Sequence, residues 1–405
     1  MGSSFSFCIS DRKYLTRSYV QSTHSRSLAA GFYTSANSLR IAMLQLLHIG
    51  KFFPPHRGGI ETHVHDLATR QTGVAQVSVI VSSSNAWSSR ELTEKIRVTR
   101  VARLGTLASM PLCPGLISAI RDCPADLVHL HTPNPGAAFA LVLSRHRGKI
   151  VVTHHADTLG RRALRALARP FVSEVMDRAS AIIVTSRRYL ESSEELRPYR
   201  EKCHVIPLGI NLLNSKDLNG DAPNGSGSRK LLSIGRLVAY KGFDVLIRAM
   251  KKVDARLTLI GAGPEEARLR QLIDSHGVQD RTELLGHVED LAPYLRQASV
   301  FVMPSTTRAE AFGLVQLEAM AAGLPVVNTW INSGVPEVSV DGETGITVEP
   351  GNPDALAGAI EFLLNNEEVR RKCASAAMKR VREEYTAELM AQRTFAIYES
   401  ILGRI

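Results

Sequence analysis

From Ile41 to about Val205, short apolar runs alternate with stretches whose apolar residues recur at helical spacing. Leu44–Ile49, Val77–Val81, Leu127–Leu130, Ile150–Thr153 and Ala181–Thr185 read as buried strands, with Ile60–Thr72 and Ala137–Arg145 as helices between them. A polar stretch follows, and then the alternation resumes. Lys230–Ile234, Arg256–Ile260, Thr282–Leu285, Val300–Met303 and Pro325–Asn328 read as strands. Phe243–Lys251, Pro264–His276, Leu291–Gln297 and Leu314–Ala322 read as the helices of this second series, and Asp354–Leu402 as largely helical. Apolar strands alternating with amphipathic helices predict a parallel sheet covered on both faces. The expected fold is therefore α/β, with two doubly wound domains facing across a cleft. The expected boundaries are an extension at 1–38, a first domain at 39–210, a linker at 211–228, a second domain at 229–385 and a last helix at 386–405 that crosses back to the first domain.

Length and charge refine this picture. With 405 residues the chain can bury two cores of ordinary size. No apolar run approaches the roughly 20 residues that span a bilayer. The five cysteines are scattered and form no CxxC, which suits a reducing compartment. The net charge of +10 is concentrated in one half. Residues 44–205 carry 22 basic and 13 acidic side chains, whereas residues 206–405 carry 22 and 25. A basic half fits nucleic acid, anionic lipid or acidic substrates; the lack of interleaved aromatics and the acidic second half argue against nucleic acid. Residues 1–38 are rich in Ser and Arg without periodicity, as in a transit peptide or a non-native extension, and are expected to be dispensable.

The chemistry-bearing motifs follow strands. Pro54-Pro55-His56-Arg57-Gly58-Gly59 follows the first strand and leads into a helix; it is a plain turn or a loop that lets backbone approach a ligand. In Gly235-Arg236 to Lys241, two cations converge where open α/β sheets bind ligands, a disposition that suits a diphosphate unless both are only surface cations. Gly261-Ala262-Gly263 lacks the third glycine of a dinucleotide fingerprint, so a nicotinamide site is weakly supported. In Glu310-Ala311-Phe312-Gly313-Leu314 to Glu318, one carboxylate precedes a helix start and another lies within the helix; both can accept from a sugar diol, or they are ordinary glutamates of a capped helix. His129, His131, His154 and His155 cluster at two strand ends, which invites a metal reading. The chain has no Asp-x-Asp pair, His129 and His131 are expected to pack, and His155 is the one expected in the cleft.

Together these motifs resemble the retaining glycosyltransferases with two Rossmann-like domains (the GT-B fold, glycosyltransferase family 4-like), over roughly Leu44 to Leu402. The wording of Ser305–Thr329 is similar to mannosyl- and rhamnosyltransferases of O-antigen and exopolysaccharide synthesis. The resemblance implies an acceptor-binding first domain and a nucleotide-sugar-binding second domain. It implies that Arg236 and Lys241 hold the donor pyrophosphate and that Glu310 contacts the transferred sugar. The amides around Phe312, Gly313 and Leu314 would meet sugar and phosphate, and Glu318 would accept from the ribose. Gly58 and Gly59 would approach the diphosphate from the other domain, and His155 matches the active-site histidine of the family. No cofactor and no metal are expected beyond a nucleotide-sugar co-substrate, with a GDP-sugar favoured over a UDP-sugar. The implied partners are a lipid-linked glycan acceptor and an anionic membrane surface, the latter met by the basic helix Arg161–Val172. The implied location is the cytoplasm, peripheral to the membrane. A nucleotide-sugar epimerase is the alternative, disfavoured because it needs no basic membrane-facing domain.

Overall fold

The computed structural model describes residues 43–56, 58–107, 110–157, 162–212 and 229–404. The expected extension 1–38, most of the linker, Arg57 and Arg161 lie outside the described residues, as do the side chains of Arg162 and Arg165.

Leu44–Ile49 is central to an eight-stranded sheet. In spatial order its strands are Cys203–Val205, Ala181–Val184, Lys149–His154, Leu127–Thr132, Leu44–Ile49, Ala75–Ser82, Ile96–Val101 and Ser89–Thr93. Seven run parallel, but Ser89–Thr93 pairs antiparallel with Ile96–Val101. This corrects the expectation of a wholly parallel sheet. Glu94 and Lys95 both adopt positive φ, so the chain reverses in a two-residue turn of the hairpin kind. Every residue of Ser89–Thr93 is exposed, so that strand lies outside the two-sided core.

A second sheet has six strands, all parallel: Thr282–Leu285, Arg256–Ile260, Lys230–Ile234, Val300–Val302, Val326–Thr329 and Gly345–Val348. Both sheets are buried on both faces because alternate residues enter opposite clusters. Leu47, Ile49, Val128 and Leu130 point to one face of the first sheet; Leu44, Leu46 and Leu127 point to the other. Helices Pro353–Asn365 and Glu367–Glu384 cover the second sheet through Leu356, Ile360, Ala377 and Val381. The helix Ala387–Leu402 instead packs on the first sheet through Ala387, Met390 and Tyr398.

The chain thus passes between the halves twice, and the two passages run side by side. The N–H of Ile210 donates to the Tyr385 carbonyl, and the N–H of Ala387 donates to the Ile210 carbonyl, each at 2.9 Å. Gly209 makes this approach possible, because a Cβ there would lie 2.3 Å from the Thr386 carbonyl oxygen. Among the described residues, no helix is long and apolar enough to cross a membrane.

In each sheet the strand order reverses once, between Leu44–Ile49 and Leu127–Thr132 and between Lys230–Ile234 and Val300–Val302. A crevice opens beyond the carboxyl ends of such strands. The loops that leave these strand ends carry the charged and glycine-rich motifs.

Candidate active site

At the reversal point of the second sheet, two loops meet. The loop after Lys230–Ile234 carries Arg236 and a short turn, Ala239–Lys241. The loop after Val300–Val302 carries Ser305 and Glu310. Lys241 Nζ lies 2.5 Å from Glu310 Oε2, and their side chains are 13% and 10% exposed. Ser305 Oγ donates to the same carboxylate oxygen at 3.4 Å. Burial pushes the Tyr240 hydroxyl pKa up, and the Glu310 charge adds to the effect. Arg236 is exposed.

Phe312 is buried against Tyr385, and Gly313 begins the helix Leu314–Ala321 with φ +77. The positive φ selects glycine, and a Cβ there would lie 2.5 Å from Met303 Cε, so that flexible side chain would have to move as well. No side chain caps this helix; the Gln316 N–H donates to the Gly313 carbonyl at 3.0 Å, which leaves the N–H groups of Leu314 and Val315 for a partner.

The first half meets this helix start with one of its own. Gly58 precedes the helix Gly59–Gln71, again without a side-chain cap. A Cβ on Gly59 would lie 3.4 Å from Leu314 Cδ1. One turn and more inside these helices, burial raises the Glu318 carboxyl to about 7, and the charge of Asp66 contributes to the shift. Two helix starts thus lie side by side, each with its positive end at the crevice. Lys51 follows the first strand and joins them. Burial lowers its pKa, Glu61 opposes that shift, and the Arg236 guanidinium of the other half reinforces it.

His155 belongs to a buried file of imidazoles on one face of the first sheet. Its Nε2 lies 3.3 Å from His131 Nδ1, His131 Nε2 lies 3.1 Å from His48 Nδ1, and His48 Nε2 donates to Gln71 Oε1 at 2.7 Å. His129 is stacked on His131 and reaches Tyr398 Oη at 2.5 Å and Thr153 Oγ1 at 2.6 Å. His63 packs edge-on against His155 with ring centroids 4.8 Å apart. Burial, the largest cause, holds all five below the ordinary histidine range; His48 falls to about 4 and His63 to about 3. Sequence reading expects His155 in the cleft; in the structure it is 5% exposed and stands at one end of the file, against His131 and His63. His129 and His131 are buried and hydrogen-bonded, in the packing role expected for them. The trios His48, His129, His131 and His63, His131, His155 each bring ring nitrogens within 4.8 Å of one another, a separation a transition metal would accept.

Gly59 thus meets Leu314 and Lys241 meets Glu310, with Lys51 near Arg236 and Glu318 near Asp66, so these residues of the two halves lie together at the helix starts. Residues 57–212 match the model of Glycosyltransferase Family 4, and residues 216–380 match that of Glycosyl transferases group 1. The D-rhamnosyltransferase WbpZ of Pseudomonas aeruginosa is 31% identical over 65% of this chain and 70% of that protein. The chain belongs to the group 1 glycosyl transferases. This glycosyltransferase is also 26% identical to the O-antigen chain mannosyltransferase C of Escherichia coli, over 89% of its own length and 99% of the relative's. Its fold is similar to that of the sucrose-phosphate synthase of Thermosynechococcus elongatus, with a TM-score of 0.73 at 21% identity, over 89% of this chain and 100% of the other. The GT-B architecture is thereby shown.

Several site residues of the glycosyltransferase escape sequence reading. Lys51 follows a strand end next to Gly50, a signal as good as that of Lys241. His48, His63 and Asp66 are isolated polar positions in apolar surroundings, and only the fold gathers the two histidines into the imidazole file and sets Asp66 near Glu318. A cavity of about 790 Å³ also opens in the first half, lined by Asp157, Arg169, Val172, Glu194, Arg197 and Tyr199.

Proposed function

We propose that this glycosyltransferase moves a hexose, mannose-type favoured, from a nucleotide-diphosphate sugar to a lipid-linked or polysaccharide acceptor in cell-surface polysaccharide synthesis. The transfer retains anomeric configuration and needs no metal, and a GDP-sugar is favoured as donor. The observation that carries the reading is the Lys241–Glu310 pair at 2.5 Å beside the uncapped start of Leu314–Ala321. It puts a cation, a carboxylate and open backbone N–H groups together where one anionic, hydroxyl-rich ligand would meet all three. The names of the Escherichia coli and Pseudomonas aeruginosa relatives support a mannose-type sugar and a surface glycan.

In this mechanism, departure of the nucleoside diphosphate leaves negative charge on the phosphates. Arg236, Lys241, Lys51 and the two converging helix starts stabilise that charge, and they are preorganised to do so. Glu310 holds sugar hydroxyls and Glu318 the ribose diol. His155, neutral in its buried file, faces the sugar as a hydrogen-bonding group without adding positive charge to a ring that is itself becoming positive. The acceptor attacks from the leaving-group face. Metal independence is supported by the cations and helix starts, which supply the positive charge that a metal would otherwise bring to the diphosphate. The first-half cavity, with its mixed charges and apolar wall, suits a glycan acceptor. Exposed Phe139 and Leu143, next to Phe171 and the exposed Arg169, suit peripheral docking on an anionic membrane.

The test is transfer from GDP-mannose, and from UDP- and ADP-sugars, to a lipid-linked acceptor, with the product anomer read by NMR and the reaction repeated in chelator. The α-linked product from an α-linked donor, at an unchanged rate in chelator, is expected. An inverted product or loss of activity in chelator would contradict the mechanism.

A further inference from the structure

His155 and Glu310 come from different halves, and each has a charged residue two positions away. Asp157 follows His155 and Arg308 precedes Glu310. Arg308 Nη2 lies 2.5 Å from Asp157 Oδ2, and Nη1 of the same guanidinium donates to the Ser192 carbonyl at 2.7 Å. The guanidinium also lies over the Tyr189 ring, 5.2 Å from its centroid. One residue of the second half thus grips a side chain, a carbonyl and a ring of the first.

Asp157 is itself fixed within the first half. Its Oδ1 accepts from Ser193 Oγ at 2.5 Å and from His154 Nε2 at 3.2 Å, and its N–H donates to Tyr189 Oη. The loop that leaves His155 is therefore rigid up to the residue that Arg308 holds. A second contact lies beside the first. Glu337 accepts from the N–H of Arg187 at 3.1 Å and from that of Arg188, satisfying donors at the start of the helix Arg187–Ser192. The Asp157 and Arg308 side chains are 14% and 33% exposed, so water and salt screen this pair less than a surface pair.

We propose that Arg308 is a positioning residue: its ion pair with Asp157 clasps the two halves and sets His155 opposite Glu310 for transfer. This rests on the reading of His155 and Glu310 as donor-site groups. The clasp differs from the Lys241–Glu310 pair, because Arg308 is turned to the first half through Asp157, Ser192 and Tyr189. Its loss lets the halves separate at the mouth of the crevice, while Arg236, Lys241 and Glu318 still hold the donor from the second half.

The test is a double-mutant cycle in the full chain with Arg308→Ala, Asp157→Asn and the two combined. Arg308→Ala is expected to lower kcat about 100-fold, the scale of a misplacement of reacting groups by about 1 Å, while the donor Kd from calorimetry stays near wild type. The double variant is expected to be no worse than the poorer single variant. Arg308→Lys, which keeps the charge but not the fork, is expected to recover part of the loss. Small-angle scattering of Arg308→Ala is expected to show a larger radius of gyration. Additive effects, an unchanged radius or a kcat loss matched by weaker donor binding would overturn the proposal. Scattering and a denaturation cycle read the clasp without any sugar transfer. A wild type that transfers no sugar therefore refutes the proposed reaction, whereas the clasp stands or falls on those two measurements.

Discussion

Lys241 and Glu310 meet at 2.5 Å with little of either side chain exposed, so neither charge is well solvated without the other. Removing one partner of such a pair leaves the other uncompensated, at a cost of about 3–5 kcal/mol for a fully buried pair. Glu310→Gln is therefore expected to destabilise the fold by about 3 kcal/mol, the lower end of that range, as read by urea denaturation. The combined variant Glu310→Gln/Lys241→Met is expected to recover most of this stability without recovering transfer. A stable Glu310→Gln would mean that solvent, and not Glu310, balances the Lys241 charge. Sequence could propose both residues because each stands at a strand end in a glycine-rich loop. It could not show that they pair, since 69 positions separate them and only the reversal of strand order brings their loops together.

The helix Leu314–Ala321 carries much of the site, and its geometry is set by Gly313. With φ +77 and Met303 Cε only 2.5 Å from an added Cβ, alanine at this position must shift the helix start or the methionine. Gly313→Ala is expected to cost about 1–3 kcal/mol, the scale of a non-glycine residue held in a sparsely populated region. Donor affinity is expected to fall with it, checked by denaturation and calorimetry on the same variant. Gly59→Ala has ordinary van der Waals room, at 3.4 Å from Leu314 Cδ1, and should retain wild-type stability. At this scale much was legible in the sequence. Lys230–Ile234, Arg256–Ile260 and Thr282–Leu285 end where their patterns end, because strands covered on both faces are apolar throughout and stop at glycine or polar residues. Ser89–Thr93 was not legible, since an exposed edge strand with one apolar residue leaves no pattern to read. Cys203–Val205 and Gly345–Val348, at the edges of their sheets, are too short to announce themselves.

At the scale of the whole molecule, His129 touches Tyr398 across 269 positions, and the C-terminal helix thereby becomes part of the wall behind His155. The buried histidine file has a consequence for stability. His48, His63, His129, His131 and His155 are neutral when folded, because burial lowers their pKa, but they take up protons near 6.5 when unfolded. Their contribution to stability is present above about pH 6.5 and is lost as pH falls toward the folded values. Each histidine that stays neutral adds a slope of about 1.4 kcal/mol per pH unit in that interval. Glu318 has the opposite sign, since its raised pKa favours the folded state below its unfolded value and loses that effect as pH rises through about 7. Five histidines outweigh one carboxyl, so stability is expected to fall steeply from about pH 6.5 downward. Urea denaturation at several pH values should show this, with a shallower slope for His48→Gln. The sequence disclosed two histidine pairs at strand ends; the joining of His48 and His63 to them depends on the strand order and the helix Gly59–Gln71, which no local spacing encodes.

The central claim is that a nucleotide-sugar donor binds in the crevice between the halves, with Glu318 accepting from its ribose. It is tested most directly by calorimetric titration of wild type and Glu318→Ala with GDP-, UDP- and ADP-sugars from about pH 6 to about pH 8. One donor is expected to bind wild type, more tightly as pH passes through about 7 and the Glu318 carboxyl loses its proton. Glu318→Ala is expected to bind that donor more weakly and without the pH dependence. Binding of no donor by wild type, or equal affinity and equal pH dependence in the variant, would contradict the claim.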